Sequence, residues 1–72
     1  MPLTMLNIGK EAVVRNCKTQ DATGKFLEGL GIVPGAVISV LLDQGGNLIV
    51  RIKGTKLALN KGVAQHILVE AI

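Results

Sequence analysis

The chain has 72 residues, of which 49% are hydrophobic, and a net charge of +3, with Phe26 as its only aromatic side chain. A chain of this length is expected to form one domain, residues 1–72, that buries about 60% of the surface of its unfolded form. Its mild positive charge permits nucleic-acid binding without indicating it. The single cysteine, Cys17, excludes an internal disulfide, and no apolar segment reaches the ~20 residues of a membrane-spanning helix, so neither a disulfide-stapled secreted protein nor direct membrane insertion is expected.

The first predicted strand covers residues 10–17. Ala12 and Val14 share one face there, and Glu11, Val13 and Arg15 share the other. This period of two is typical of a strand with one buried face. We expect both side chains to face the core, because the other face carries the charges. A short leading segment precedes the strand and is predicted to end in a turn at Gly9.

A short helix is predicted after the polar segment 18–21. Asp21 can cap the first free N–H groups of a helix. Thr23, Leu27 and Leu30 follow at i, i+4 and i+7, on one face of a helix. Because two glycines in this segment each cost about 1 kcal/mol relative to alanine, packing of the two leucines must hold the helix. Gly31 is predicted to end it, and a proline three residues later prevents it from resuming.

Four further strands with tight turns follow the helix. Glycines near 43–47 and at 54 favour hairpin turns, and the segment 60–66 has room for only a single helical turn. The alternation predicts that Leu42 faces inward with Ile38 and that Leu41 faces outward. The strands are predicted over 36–42, 48–53, 56–59 and 67–71.

The predicted core combines inward strand positions with the two helix leucines. Five short strands in so few residues can bury one face only by curling into a small barrel. The predicted fold is therefore mainly β, with one short helix between strands 1 and 2 and a helical turn before strand 5. The predicted core residues are Leu6, Ala12, Val14, Leu27, Leu30, Ile38, Val40, Leu48, Val50, Leu57, Leu59, Ile67 and Val69.

The inward residues and glycines form an ordered pattern over nearly the whole chain. It reads Leu6-x-x-Gly9-x-x-Ala12-x-Val14, Lys25-x-Leu27-x-x-Leu30-Gly31-Ile32-x-Pro34-Gly35, Ile38-x-Val40, Val50-x-Ile52, Leu57-Ala58-Leu59 and Ala64-x-x-Ile67-x-Val69. This pattern resembles the FeoA family, the ferrous iron transport protein A domain, and residues 30–35 are its most specific part. The chain departs from the usual family pattern at Phe26 and Gly29, on the outer side of the helix.

The resemblance implies an SH3-like barrel and a non-enzymatic, cytoplasmic accessory role in bacterial ferrous iron uptake. In that role the domain would bind FeoB, the membrane GTPase transporter. The same domain is known at the C-terminus of iron-dependent repressors, after a DNA-binding domain. A stand-alone regulatory domain that acts through protein contacts in transcription is therefore the alternative. The N-terminal residues 1–5 lack the features of a signal peptide, which agrees with a cytoplasmic location.

A metal site is considered because the family is associated with transition metals. Cys17 and His66 are the only soft or imidazole ligands, and they lack the spacing of a metal site. We expect no metal site and no cofactor, with Cys17 as a small buried hydrophobe and His66 at a turn. No catalytic set is recognised either, since the glycines at 29–31 end a helix instead of starting one. The scattered carboxylates are Glu11, Asp21, Glu28, Asp43 and Glu70.

Two surfaces are predicted candidates for partner binding. The first combines the helix end with apolar positions sent outward by the strands, and its members are Phe26, Leu30, Gly31, Ile32, Pro34, Gly35, Val37 and Leu41. Val13 and Ile49 also face outward. Exposed aliphatic residues of this kind would favour self-association as much as binding to another protein, so both monomer and oligomer are considered.

The second candidate is a basic patch around one hairpin. Its members are Arg51, Lys53, Lys56 and Lys61. These residues either form a solvated edge that discourages aggregation or dock to an acidic surface. Nucleic acid is not an expected partner, because single-strand binders of barrel type stack bases on aromatic side chains.

Overall fold

The computed structural model describes residues 1–18 and 21–72. A 3-10 turn at Leu3–Met5 comes first, and the elements that follow are β1 (Glu11–Cys17), α1 (Ala22–Gly29), β2 (Val37–Gln44), β3 (Asn47–Ile52), β4 (Thr55–Asn60), α2 (Lys61–Ala64) and β5 (Ile67–Ala71). This confirms the predicted order of five strands with a helix after the first. Of the predicted polar segment 18–21, Thr19 and Gln20 lie outside the described residues. None of the helices in the described ranges has the length and apolar character to cross a membrane.

All five strands join one antiparallel sheet in the order β4-β3-β2-β1-β5. β2, β3 and β4 form a meander with two-residue turns at 45–46 and 53–54, because 44 pairs with 47 and 52 with 55. β5 returns to pair with the free side of β1. Within residues 1–18 and 21–72 no ladder joins β4 to β5, so closure of the sheet into a barrel stays a prediction.

One hydrophobic core lies against the inner face of the sheet. Every predicted core residue is buried except Leu30 and Leu57, which are half-buried. Leu57 packs against the core from the edge strand β4. Leu30 follows α1 as its C-terminal cap, and the chain then reverses at Gly31 and places Ile32 in the core instead. Further core members are Leu3, Ile52 and Ala64.

An extra residue in β2 reverses the predicted faces of its second half. Val40 pairs with Val50, whereas Leu42 pairs with Ile49, so Leu41 is the inserted residue of a β-bulge. Beyond this point the alternation of inward and outward side chains is displaced by one residue. The prediction that Leu42 faces inward is therefore wrong, and its side chain is 43% exposed. Leu41, predicted to face outward, is half-buried.

The N-terminus of α1 is capped by Asp21, as predicted. Its Oδ1 accepts a hydrogen bond from the Thr23 N–H at 3.0 Å. Because such a cap contributes about 0.5–2 kcal/mol, Asp21→Ala is expected to lower the free energy of unfolding by about 1 kcal/mol in urea titrations. Asp21→Asn keeps an accepting oxygen and is the control. Equal losses in both variants would show that the carboxylate charge, and not the cap, stabilises the helix.

Candidate functional site

The end of α1 is fixed by a Schellman motif. The Gly31 N–H donates to the Glu28 carbonyl at 2.9 Å, and the Ile32 N–H donates to the Leu27 carbonyl at 3.0 Å, the two bonds that define this motif. Gly31 has a φ of +91°, a conformation that favours glycine. Leu27 and Ile32 are both buried, so apolar packing fixes the helix end together with the backbone bonds.

A second turn leads directly from the helix end into β2. The Ala36 N–H donates to the Val33 carbonyl at 3.0 Å across Pro34 and Gly35, and Gly35 has a φ of +93°, as in a type II turn. The Gly35 N–H also donates to the Val14 carbonyl, and the Val14 N–H donates to the Ala36 carbonyl, both at 2.8 Å. The turn is therefore held rigidly against β1.

Burial divides the first predicted surface into structural and accessible residues. Ile32 is 2% exposed, so its side chain belongs to the core and is not available to a partner, contrary to the prediction. Leu41 lies four residues beyond Val37 on β2, about 13 Å along the strand, and is separate from the helix end. Phe26 and Val37 are 63% and 46% exposed. We define the helix-end surface as Phe26, Leu30, Pro34, Gly35 and Val37.

Of the other apolar positions predicted to face outward, Val13 adjoins the helix-end surface and Ile49 does not. Val13 lies directly opposite Val37 in the pairing of β1 with β2. Ile49 lies farther along the sheet, because the row that contains Arg51 and Ser39 runs between it and the valine pair. The structure thus joins Val13 to the helix-end surface and leaves Ile49 on a different part of the outer face.

Lys53 approaches the helix end from the β3–β4 turn. A Cβ atom added to Gly31 would lie 3.1 Å from the Lys53 Cδ and 3.5 Å from its Nζ. A cation at the C-terminus of a helix interacts favourably with the helix dipole. Lys53 was predicted to belong to the basic patch, and the structure places it beside the helix-end surface.

Of the remaining members of the predicted basic patch, two lie together and Lys61 has its own acidic partner. The Lys61 Nζ forms an ion pair with the Asp43 Oδ1 at 2.7 Å, so its charge is locally balanced. Arg51 and Lys56 lie directly opposite each other on β3 and β4, and both are exposed. Within the described residues neither takes part in an ion pair. They form a contiguous cationic pair on the outer face of the sheet.

Cys17 and His66 approach each other where β1 pairs with β5. Cys17 lies opposite Ile67, and the Lys18 N–H donates to the His66 carbonyl at 2.9 Å. Cys17 is half-buried and packs against the core. Across residues 1–18 and 21–72, however, no group of three His, Cys, Asp or Glu side chains is arranged to hold a metal ion.

An open cleft of about 300 Å³ lies between the end of β1, α1 and the turn at 32–34. Its charged lining residues are Asp21, Lys25 and Glu28, and the Cys17 side chain also contributes. The Oδ1 of Asp21 is engaged in the helix cap. Among the described residues no histidine lines the cleft beside the thiol, where an activating base would be needed for nucleophilic catalysis.

Comparison with known proteins gives matches over the full length of this fold. Fe(2+) transport protein A of Methanocaldococcus jannaschii is 30% identical over 69 residues, which is 96% of this chain and 84% of that protein. The zinc complex of FeoA from Stenotrophomonas maltophilia, described as a prokaryotic SH3 domain protein, is 28% identical with a TM-score of 0.87, and the match covers 97% of this chain and 89% of that one.

Similarity of fold alone extends to a repressor. A manganese-dependent transcriptional repressor in complex with manganese has a TM-score of 0.92 at 22% identity, and the match covers 100% of this chain and 36% of the repressor. The sequence model of the FeoA domain matches residues 1–71. Since that match spans nearly every residue, this chain belongs to the FeoA domain family, which takes part in Fe(2+) transport.

Proposed function

We propose that this protein is a non-enzymatic, cytoplasmic accessory of ferrous iron uptake that binds the transporter FeoB through its helix-end surface. Membership of the FeoA domain family supports the iron-transport role. The observation that carries the choice of surface is the exposure of Phe26, which is 63%. Aromatic side chains are frequent anchors of protein interfaces, and this one has no part in the core.

The surroundings of Phe26 make the helix-end surface a pre-formed one. α1 is held by burial of Leu27 and by the Schellman bonds, so its position does not depend on Phe26. The following turn is hydrogen-bonded to β1 through Gly35 and Val14. A rigid surface loses little conformational entropy on binding, which favours affinity. We take the sheet to be curled as an SH3-like barrel, with this surface at the helix end.

Regulation of the transporter would follow from a difference in affinity. A domain that binds one conformational state of FeoB more tightly than another shifts the population toward that state. Equal affinity for both states would shift nothing. The alternative, a regulatory domain in transcription, has the fold similarity to the manganese-dependent transcriptional repressor in its favour, whereas the family match supports the transport role.

Phe26→Lys and Val37→Lys are expected to weaken binding to detergent-solubilised FeoB at least tenfold, which corresponds to about 1.4 kcal/mol. Both side chains are exposed, so stability should change by no more than about 0.5 kcal/mol. The dissociation constant would be measured by titrating each variant over immobilised FeoB, after thermal unfolding has confirmed that the variant is folded. Met5→Lys is the matched control, because Met5 is 67% exposed and lies outside the helix-end surface. Full binding by both surface variants would refute the proposal.

A further inference from the structure

The outer face of β2, β3 and β4 carries an apolar row created by the β-bulge. Leu42 lies opposite Ile49, and Ile49 lies opposite Ala58. Residues directly opposite each other in antiparallel strands share one face of the sheet, and the neighbours Leu48 and Val50 are buried on the inner face. Leu42 and Ala58 are exposed and Ile49 is half-buried. The three side chains therefore form a continuous apolar row that faces solvent.

The cationic pair runs beside this row. Arg51 follows Ile49 by two residues and Lys56 precedes Ala58 by two, which places the pair about 7 Å from the row on the same face. Like charges directly opposite each other on neighbouring strands are unfavourable. The nearest acidic residue along this row of the sheet is Glu11, two strands or about 10 Å from Arg51. The register of β3 and β4 thus keeps two like charges on neighbouring positions, and an anionic ligand would relieve their repulsion.

We propose that this surface, the outer-face strip of Leu42, Ile49, Arg51, Lys56 and Ala58, binds an amphipathic helix of a partner protein that has acidic side chains along one flank. Strands are about 4.8 Å apart, and helix residues three or four apart rise about 4.5 or 6 Å along the axis. A helix lying across the strands would therefore place one apolar side chain over each strand. Its acidic flank would then meet the cationic pair.

The chemistry of the strip favours a protein helix over other anionic ligands. Single-stranded nucleic acid needs aromatic stacking platforms, and the only aromatic residue, Phe26, lies on α1. Recognition of an anionic membrane surface relies on clusters of about 4–8 basic residues, whereas the strip carries two. The strip is separate from the helix-end surface, so the inference does not depend on FeoB as the partner.

A synthetic peptide tests the inference directly. We would titrate the isotope-labelled full chain with a peptide of about 18 residues, five helical turns, that has leucines at i, i+3 and i+4 spacing and glutamates along one flank. Amide shifts are expected to concentrate at residues 42, 49, 51, 56 and 58. A peptide with lysine in place of every glutamate should bind at least tenfold more weakly. Equal binding of the two peptides, or shifts centred elsewhere, would overturn the proposal.

Charge reversal within the strip separates binding from stability. Lys56→Glu replaces a like charge opposite Arg51 with an opposite one, so it should raise the melting temperature while weakening binding of the acidic peptide at least tenfold. Lys25→Glu makes the same charge change on α1, outside the strip, and should bind as the unmodified protein does. A lower melting temperature for Lys56→Glu, or equal weakening by Lys25→Glu, would contradict the inference. So would tighter binding of a single-stranded oligonucleotide or phosphatidylserine vesicles at the strip.

Discussion

Leu27→Ala is expected to be among the most damaging single substitutions in this protein. Leu27 is 0% exposed and is the buried residue of α1. Truncating a fully buried leucine to alanine costs about 2–5 kcal/mol, because apolar contacts are lost and a cavity remains. A chain of this length has a total stability of about 4–11 kcal/mol. The substitution should therefore remove a large share of the free energy of unfolding, measured by urea titration.

The adjacent residue provides a matched control for this prediction. Phe26 has a larger side chain than Leu27 but is 63% exposed, so Phe26→Ala should change stability by no more than about 0.5 kcal/mol. Hydrogen exchange adds a local readout, since loss of Leu27 should expose the amides of α1 first. Comparable destabilisation by the two substitutions would mean that α1 is not held by Leu27.

The order of the elements along the chain could be predicted from the sequence because local signals agree with the fold, whereas the order of the strands within the sheet was not predicted. The strands β1 and β3 follow from a hydrophobic alternation of period two, and the hairpin turns follow from their glycines. Both signals lie within a few neighbouring residues. The burial of Leu3, which is complete, could not be predicted in this way. It depends on pairing of the N-terminus with β5, where the Met1 amino group donates to the Val69 carbonyl at 2.8 Å. Contacts this distant leave no periodic pattern in the first residues.

The bulge in β2 shows a second limit of pattern reasoning. Both Leu41 and Leu42 are apolar, so alternation alone cannot reveal that one of them is inserted. The pairing of Leu42 with Ile49 appears only once β2 and β3 are aligned in space. The outer-face strip therefore could not be recognised from β2 by itself.

The candidate sites were predictable only where a local turn determines them. The sequence predicts a helix end and a turn at residues 30–35, and the structure confirms both. The inward position of Ile32, however, results from the chain reversal at the helix end. For the cationic pair the signal was present, because a two-residue turn at 53–54 places Arg51 opposite Lys56. The predicted strands 48–53 and 56–59 leave the turn at 54–55, one residue later than observed, and so do not give this register. The ion pair of Lys61 with Asp43 joins distant segments and has no local signature.

Gly31→Ala is expected to destabilise the protein by about 1–3 kcal/mol, the usual cost of a residue held in an unfavourable backbone conformation. Gly31 has a φ of +91°, and an added Cβ would lie 3.1 Å from the Lys53 Cδ. Gly29→Ala should instead raise the free energy of unfolding. Its Cβ would have no atom within 4 Å, and alanine favours a helix by up to about 1 kcal/mol over glycine. Urea midpoints of the two variants should therefore lie on either side of the unmodified protein.

The contribution of Lys53 to this loss can be separated from that of the backbone. The contact at Gly31 involves the far end of a flexible lysine side chain, which can move aside, whereas the φ angle is fixed by the Schellman bonds to Leu27 and Glu28. Adding Lys53→Ala to Gly31→Ala should therefore recover little stability. Recovery of most of the loss in the double variant would assign it to the side-chain contact. An unchanged midpoint for Gly31→Ala alone would mean that the helix end can adopt another turn.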